Sequence, residues 1–184
     1  DLPVGNYYIK ELETNVGYVL DEEEYPFTFE YTDDASESHA HVELEEIENM
    51  KRRIDLEVKK VDKDNHDILL NGAVFEVIDK TTNTNLGIAV SGKLAVKGNE
   101  VNEEYEIAKD EDFKDIVTTA KTNESKEIIL DLEDGTYYSR KVGSEEVKKH
   151  IVKAGYAVLA DAVYGHEYEF KEIEAPSSYE LNEE

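Results

Sequence analysis

Two glutamates continue the apolar faces of predicted β-strands. In a strand every second side chain points to the same face, so Glu11 shares a face with Tyr7 and Ile9. Glu172 has the same parity at the end of a Tyr-Glu-Phe-Lys-Glu run. A carboxylate buried among apolar side chains must be protonated or paired. Both acids are therefore candidates for chemistry, with ordinary exposed strand acids as the open alternative.

A lysine occupies a comparable position in another strand. Ile54, Leu56, Val58 and Lys60 alternate along one face, whereas Lys59 points the other way. A lysine buried beside a glutamate is a reactive arrangement rather than an ordinary surface pair. Lys60 is therefore a further candidate for chemistry.

The two glutamates lie in related segments. Tyr-Tyr-Ile-Lys-Glu-Leu-Glu at residues 7–13, followed by Tyr-Val-Leu at 18–20, recurs as Tyr-Glu-Phe-Lys-Glu-Ile-Glu at 168–174, followed by Tyr-Glu-Leu at 179–181. Such self-similarity indicates two related structural units.

The elements that position these residues are predicted to be short antiparallel strands. Alternating runs separated by Asn, Asp, Gly and Ser turns occur at residues 7–9, 27–31, 41–44, 54–58, 73–78, 127–130, 156–159 and 168–170. An all-β sandwich is the class that they favour. Helical spacing at 110–120 and 144–154, with N-cap candidates Asp110 and Ser144, predicts two helices within an insertion at about 81–165.

Composition restricts the partners. The 184 residues include 45 acidic and 20 basic side chains, for a formal net charge of −25. This charge repels nucleic acid and anionic lipid, so neither is an expected partner. The absence of cysteine excludes disulfides, thiol nucleophiles and thiolate metal sites. Apolar stretches are far shorter than the roughly 20 residues of a membrane span, and we expect an interior part of a longer protein.

Other candidate sites are weak. Residues 62–67 resemble a calcium loop but lack its glycine and its final glutamate, so we predict a turn. His39 and His41 have no third metal ligand in view. Since no Ser-His-acid set or phosphate loop is evident, we expect no cofactor, no metal and no enzymatic activity.

Several motifs resemble a known family. The segments are Val58–Asp62, the Leu-any-Gly-Ala-any-Phe run at 70–75, the Leu-any-any-Gly-any-Tyr turns at 2–7 and 132–137, and Lys-Glu-any-any-Ala-Pro at 171–176. Together they resemble the B-type repeats of Gram-positive collagen adhesins (Cna-B-type domains) and the SpaA-type pilin domains.

The resemblance implies an Ig-like, prealbumin-like Greek-key sandwich in which a first-strand lysine attacks a last-strand asparagine amide, assisted by a glutamate. Position by position, the lysine is Lys60, the isopeptide-promoting acids are Glu172 and Glu11, and the asparagine is Asn49. Residues 1–50 would be the C-terminal part of one repeat, and 51–184 a second repeat without its last strand. Neither crosslink would then be complete, because the first unit lacks its lysine strand and the second lacks its asparagine strand. Asn182 is too close in sequence to Glu172 to be the acceptor, so we expect that the partner lies beyond Glu184 or that segment 37–49 donates a strand in trans.

The implied function is structural. We expect a stalk or pilin segment of an extracellular, cell-wall-anchored surface protein, with adjacent repeats, host extracellular matrix or neighbouring pilin subunits as partners. The alternative is a ligand-binding adhesin module that presents residues 81–165 to host matrix.

Overall fold

The computed structural model describes residues 3–30 and 46–181. Within these ranges every regular element is a β-strand, and the sheets are antiparallel. The prediction of an all-β protein is confirmed. The chain divides into two compact units, residues 1–52 and 53–184.

Unit 1 is built on one strand pair. β1 (Gly5–Lys10) and β2 (Glu24–Phe29) are antiparallel, with Tyr7 opposite Phe27. The rings of Tyr7 and Phe27 stack at a centroid distance of 5.5 Å. Aromatic cross-strand pairs of this kind stabilise a sheet and set its register.

Unit 2 contains the remaining strands. They are β3 (Arg53–Lys59), β4 (Val74–Asp79), β5 (Thr84–Val90), β6 (Leu94–Lys97), β7 (Glu104–Ala108), β8 (Ile116–Lys121), β9 (Glu127–Leu130), β10 (Gly135–Lys141), β11 (Lys148–Val152), β12 (Tyr156–Val163) and β13 (Tyr168–Glu174). They form two sandwiches, one inserted into the sequence of the other.

The first sandwich consists of the sheet β12-β3 packed on the sheet β13-β4-β5. Its core joins both sheets and contains Ala73, Phe75, Val77, Ala89 and Ala157, with Val58 and Phe170 packed against them. Each of these residues lies on the face that the sequence alternation marks as apolar, and that face is the one buried in the core.

The inserted sandwich consists of β6–β11. The sheet β6-β9 packs on the sheet β11-β10-β7-β8, and the core contains Leu94, Val96, Ile107, Ile128, Tyr137 and Val152. Strands β5 and β12, also within the segment 81–165, belong to the first sandwich through β4 and β3.

The prediction of a helix at 110–120 is wrong. Ile116–Lys121 is strand β8, paired with β7. Its run of Ile, Val, Thr and Thr is β-branched and therefore stiff in a helix. The Asp110 carboxylate does cap backbone N–H groups, those of Lys114 and Asp115, but in a turn that has Phe113 at φ 57°.

A helix at 144–154 is also wrong, because Lys148–Val152 is strand β11, paired with β10. Ser144 accepts a hydrogen bond from the Glu146 N–H within a turn. His150 and Val152 alternate into the core, the period of a strand.

Other sequence predictions have different outcomes. Residues 62–67 form a turn in which Asp62 accepts the N–H groups of Asp64 and Asn65. The run at 41–44, both histidines of 39–41 and Asn182 lie outside the described residues. The described part contains no cluster of metal-ligating side chains and no helix long and apolar enough to cross a membrane.

Candidate functional site

Three strands have, at or near their first residue, a tyrosine whose hydroxyl is hydrogen-bonded to the backbone just upstream. The hydroxyl groups of Tyr7, Tyr137 and Tyr168 donate to a carbonyl four or five residues upstream, at 2.5, 2.9 and 3.3 Å in chain order. A tyrosine anchored in this way fixes where its strand starts. Four positions after these tyrosines are Glu11, directly after β1, Lys141, at the end of β10, and Glu172, within β13.

In β13 that residue is Glu172, which meets Lys60. Lys60 directly follows β3, and its backbone is fixed by hydrogen bonds to Gly155 O (2.7 Å) and from Leu70 N (3.0 Å). Its Nζ lies 2.8 Å from Glu172 Oε2. The two side chains are only 19% and 7% exposed. A β-bulge follows Glu172 in the pairing with β4, and such bulges re-aim side chains.

The second carboxylate oxygen of this pair is unsatisfied. Glu172 Oε1 is buried and has no hydrogen-bond partner among the described residues. A buried acceptor without a donor costs about 1–3 kcal/mol, so such atoms are rare in stable folds. We call this pair open, because one of its carboxylate oxygens has no donor among the described residues.

In β10 the equivalent residue is a lysine. Lys141 Nζ lies 2.5 Å from Glu103 Oε1, and the Glu103 side chain is 7% exposed. Glu103 Oε2 accepts the Asn99 N–H at 2.8 Å and the Tyr105 hydroxyl at 3.4 Å. The hydrogen bond from Lys141, followed by that from Asn99, lowers the pKa of Glu103 to about 2. This pair is closed, because both oxygens are occupied.

In β1 the strand continues into Glu11, which holds the Asn49 amide. Asn49 Nδ2 lies 2.9 and 2.8 Å from the two oxygens of Glu11, 2.9 Å from Thr14 Oγ1 and 3.3 Å from Val19 O. Glu11 Oε2 also accepts the Asp21 N–H at 2.9 Å. An acid placed on the amide nitrogen is in position to protonate it as a leaving group.

The turns after Glu11 and Glu172 have the same conformation. Tyr18 N donates to Asn15 O at 3.1 Å, and Tyr179 N donates to Pro176 O at 3.0 Å. The residue before each tyrosine has a left-handed backbone, with φ of 96° at Gly17 and 73° at Ser178. The internal repeat therefore extends to backbone geometry, and the two glutamates are structurally equivalent.

The predicted site residues thus form two separate pairs, Lys60 with Glu172 and Asn49 with Glu11. Within the described ranges no lysine reaches the Asn49 pair and no side-chain amide reaches the Lys60 pair. Sequence analysis missed Thr14, which accepts from Asn49, and Asp21, whose N–H donates to Glu11. Both lie outside the strands, where side chains do not alternate between faces, so the sequence pattern could not identify them.

Sequence analysis also missed a Ser-His contact. Ser139 Oγ and His150 Nε2 are 2.7 Å apart in the core of the inserted sandwich. Burial, and then the nearby Lys148 charge, lower the pKa of His150 to about 3. Since Ser139 is 2% and His150 9% exposed, the pair has no access to a substrate.

Comparison with known proteins identifies two solved structures. The Bacillus anthracis TIE protein is 18% identical over 84% of this chain, with a TM-score of 0.39, and this chain covers 40% of its length. A streptococcal ancillary pilin is 13% identical over 83% of this chain, with a TM-score of 0.27, and 72% of it is covered. No family model and no curated protein matches. At these TM-scores neither likeness identifies the function.

Proposed function

We propose that this chain is a segment of a bacterial surface stalk or pilin whose sandwich units are locked by Lys–Asn isopeptide bonds. Lys60 is the nucleophile of one unit and Asn49 the acceptor of the other. Glu172 and Glu11 transfer the protons. The observation that carries this proposal is the part-buried Lys60–Glu172 pair, whose Oε1 has no hydrogen-bond partner among the described residues.

The reaction balances without a cofactor. Transfer of a proton from the Lys60 ammonium to the Glu172 carboxylate, which are 2.8 Å apart, frees the amine to attack. The lysine nitrogen then forms a bond to the asparagine Cγ, and the Cγ–Nδ2 bond breaks. The protonated acid gives its proton to the departing nitrogen and takes the one that the lysine nitrogen still loses. Ammonia takes the remaining proton from the acid and leaves as ammonium, which restores the carboxylate.

The contacts of Asn49 match the second half of this scheme. Its Nδ2, the atom that departs, is the atom that Glu11 holds. In the other unit the unsatisfied Glu172 oxygen lies beside the amine that attacks. Each unit therefore contains the acid together with one of the two reacting groups.

A covalent tie between first and last strands suits a load-bearing extracellular protein. It prevents the strands from shearing apart and, like a disulfide, restricts the unfolded chain. Since the chain has no cysteine, this bond replaces the usual extracellular staple. Adjacent repeats and neighbouring subunits of a cell-wall-anchored fibre are the proposed partners.

The test is the intact mass of the protein with its flanking repeats, together with peptide mapping around Lys60. We expect a deficit of one ammonia per bonded unit and no free Lys60 peptide. Lys60→Ala and Glu172→Ala should restore one ammonia, whereas Glu103→Ala, which removes the closed pair, should not. A full mass with free Lys60 in the wild-type protein refutes the proposal.

A second candidate is a ligand-binding adhesin module, favoured by the completeness of the inserted sandwich, which has its own core. Replacing residues 94–152 by a short glycine-rich turn separates the two functions. Loss of binding to immobilised extracellular-matrix proteins, with the first sandwich still folded by circular dichroism, would establish the adhesin. Unchanged binding, or no binding by either the full protein or the shortened variant, would favour the stalk function.

A further inference from the structure

The open pair lies beside an unpaired strand edge. β3 pairs with β12 on one side, and its other edge has no strand partner within residues 3–30 and 46–181. A free edge of this kind accepts an added extended segment through backbone hydrogen bonds. The edge leads to Lys60 and to the unsatisfied Glu172 Oε1.

In unit 1, the segment at 49–52 binds next to the equivalent acid, Glu11. Besides the Asn49 amide on Glu11, the segment at 49–52 makes two backbone hydrogen bonds with the turn after the acid. Met50 O accepts from Val19 N at 2.8 Å and Arg52 N donates to Gly17 O at 2.7 Å, and these two bonds form the bridge between Lys51 and Tyr18.

The corresponding groups of unit 2 are free in the described part of the chain. Ser178 O corresponds to Gly17 O, and Glu180 N to Val19 N, by the shared turn geometry. Neither has a backbone hydrogen-bond partner there. Tyr179 and Leu181 beside them are 42% and 43% exposed. The turn after Glu172 thus has the same backbone acceptor and donor as the turn after Glu11, and among the described residues no segment is bound to them.

We infer that this surface binds the 46–52 segment of a second copy of the chain and that Lys60 bonds to the Asn49 of that copy. The inference rests on the proposed function and adds the partner to it. Asn49 exchanges Glu11 for the equivalent Glu172, so most contacts are replaced by their counterparts.

Two properties of the 46–52 segment, its exposed apolar side chains and its cations, favour its binding to this surface of a second copy. Met50 is 74% exposed and Ile47 38% exposed, which suits the exposed Tyr179 and Leu181. Lys51, Arg52 and Arg53 are consecutive cations in a chain of net charge −25, so a second copy attracts this end of the segment. One contact is lost, because Ala175 stands where Thr14 accepts from Asn49.

The covalent step is the one described above, now between copies. Lys60 Nζ of one copy bonds to Asn49 Cγ of the other, and Asn49 Nδ2 leaves as ammonia. Glu172 moves the protons. The product is a covalent dimer with the summed mass of two chains less one ammonia.

The experiment uses two complementary variants of the full chain. Lys60→Ala retains the acceptor, Asn49→Ala retains the nucleophile, and neither alone can form a Lys60–Asn49 bond. We expect a covalent heterodimer only when the two are mixed, with a peptide that joins Lys60 to Asn49. Adding Glu172→Gln to the Asn49→Ala chain should abolish the product, and adding Glu103→Gln, the matched closed pair, should not.

A synthetic peptide of residues 46–53 distinguishes failure of this inference from failure of the proposed function. If the peptide becomes attached to Lys60 but the chains do not join each other, the second copy is not the partner and the proposed function survives. A monomer that has lost one ammonia through its own Lys60 and Asn49 would also overturn the inference. If Lys60 remains free with chains and peptide, and in the longer protein, the proposed function fails as well.

Discussion

Lys141 lies four residues after Tyr137, the corner tyrosine of β10, just as Glu11 lies four residues after Tyr7, the corner tyrosine of β1. The charge at this position is therefore reversed in the inserted sandwich, where the acid, Glu103, comes from the residue before β7. Both oxygens of Glu103 accept hydrogen bonds, whereas one oxygen of Glu172 has no donor in the part of the chain that the structure describes. The same fold thus contains a closed Lys–Glu pair and an open one.

The first prediction compares these two pairs. Glu172→Gln should abolish modification of Lys60, because an amide cannot accept the lysine proton, and Glu103→Gln should leave it intact. Glu103→Gln should instead lower the urea midpoint, since its amide nitrogen would face a donor from Lys141 or Asn99. Intact mass and urea unfolding of both variants provide the readouts. Equal loss of modification in the two would contradict the distinction between open and closed pairs.

The second prediction concerns acid stability. Burial lowers the pKa of His150 to about 3 from 6.5, so the unfolded chain binds a proton that the folded chain does not. The contribution of neutral His150 is complete above about pH 6.5, is lost progressively as the pH falls toward 3, and amounts to a few kcal/mol at most. Urea unfolding across this range should show a smaller decline for His150→Gln than for the wild-type protein. Parallel declines would assign the acid sensitivity to the carboxylates instead.

The third prediction uses two glycines with similar backbones. Gly155 and Gly143 have φ of 75° and 84°, but only Gly155 is crowded, since a Cβ added there would lie 2.7 Å from Leu69 Cβ. Gly143→Ala should cost about 1 kcal/mol for the left-handed backbone alone. Gly155→Ala should cost about 1–3 kcal/mol more through overpacking, and it should slow Lys60 modification because Gly155 O holds the Lys60 backbone. Equal midpoints in urea unfolding would rule out the crowding.

The fourth prediction tests the tyrosine corner. Tyr137→Phe removes the hydrogen bond to Glu133 O and should destabilise unit 2 by about 1 kcal/mol. Its neighbour Tyr138, whose hydroxyl has no protein partner within the described residues, is the matched control. Tyr138→Phe should be close to neutral in the same thermal or urea melts. A similar loss in both variants would show that the corner hydrogen bond contributes little.

Much of the frame could be predicted because it depends on local periodicity. Alternation along a strand places Lys60 on the face of Val58, and Glu172 on that of Phe170, whatever the partner strands are. The repeat around Glu11 and Glu172 was likewise visible in the sequence, since the same turn requires similar residues. The all-β class followed from the same alternation.

The errors and omissions have one physical cause, which is that partners distant in sequence decide between local alternatives. Asp110 and Ser144 cap backbone N–H groups in turns as readily as at helix starts, so their chemistry alone could not exclude helices. By itself the sequence determined which faces are apolar and which ionisable groups lie on them. Only the tertiary structure decided which carboxylate oxygens have hydrogen-bond donors. The Lys141–Glu103 pair and the Lys60–Glu172 pair each join residues far apart in the chain, and no local pattern shows that Glu172 Oε1 lacks a donor among the described residues.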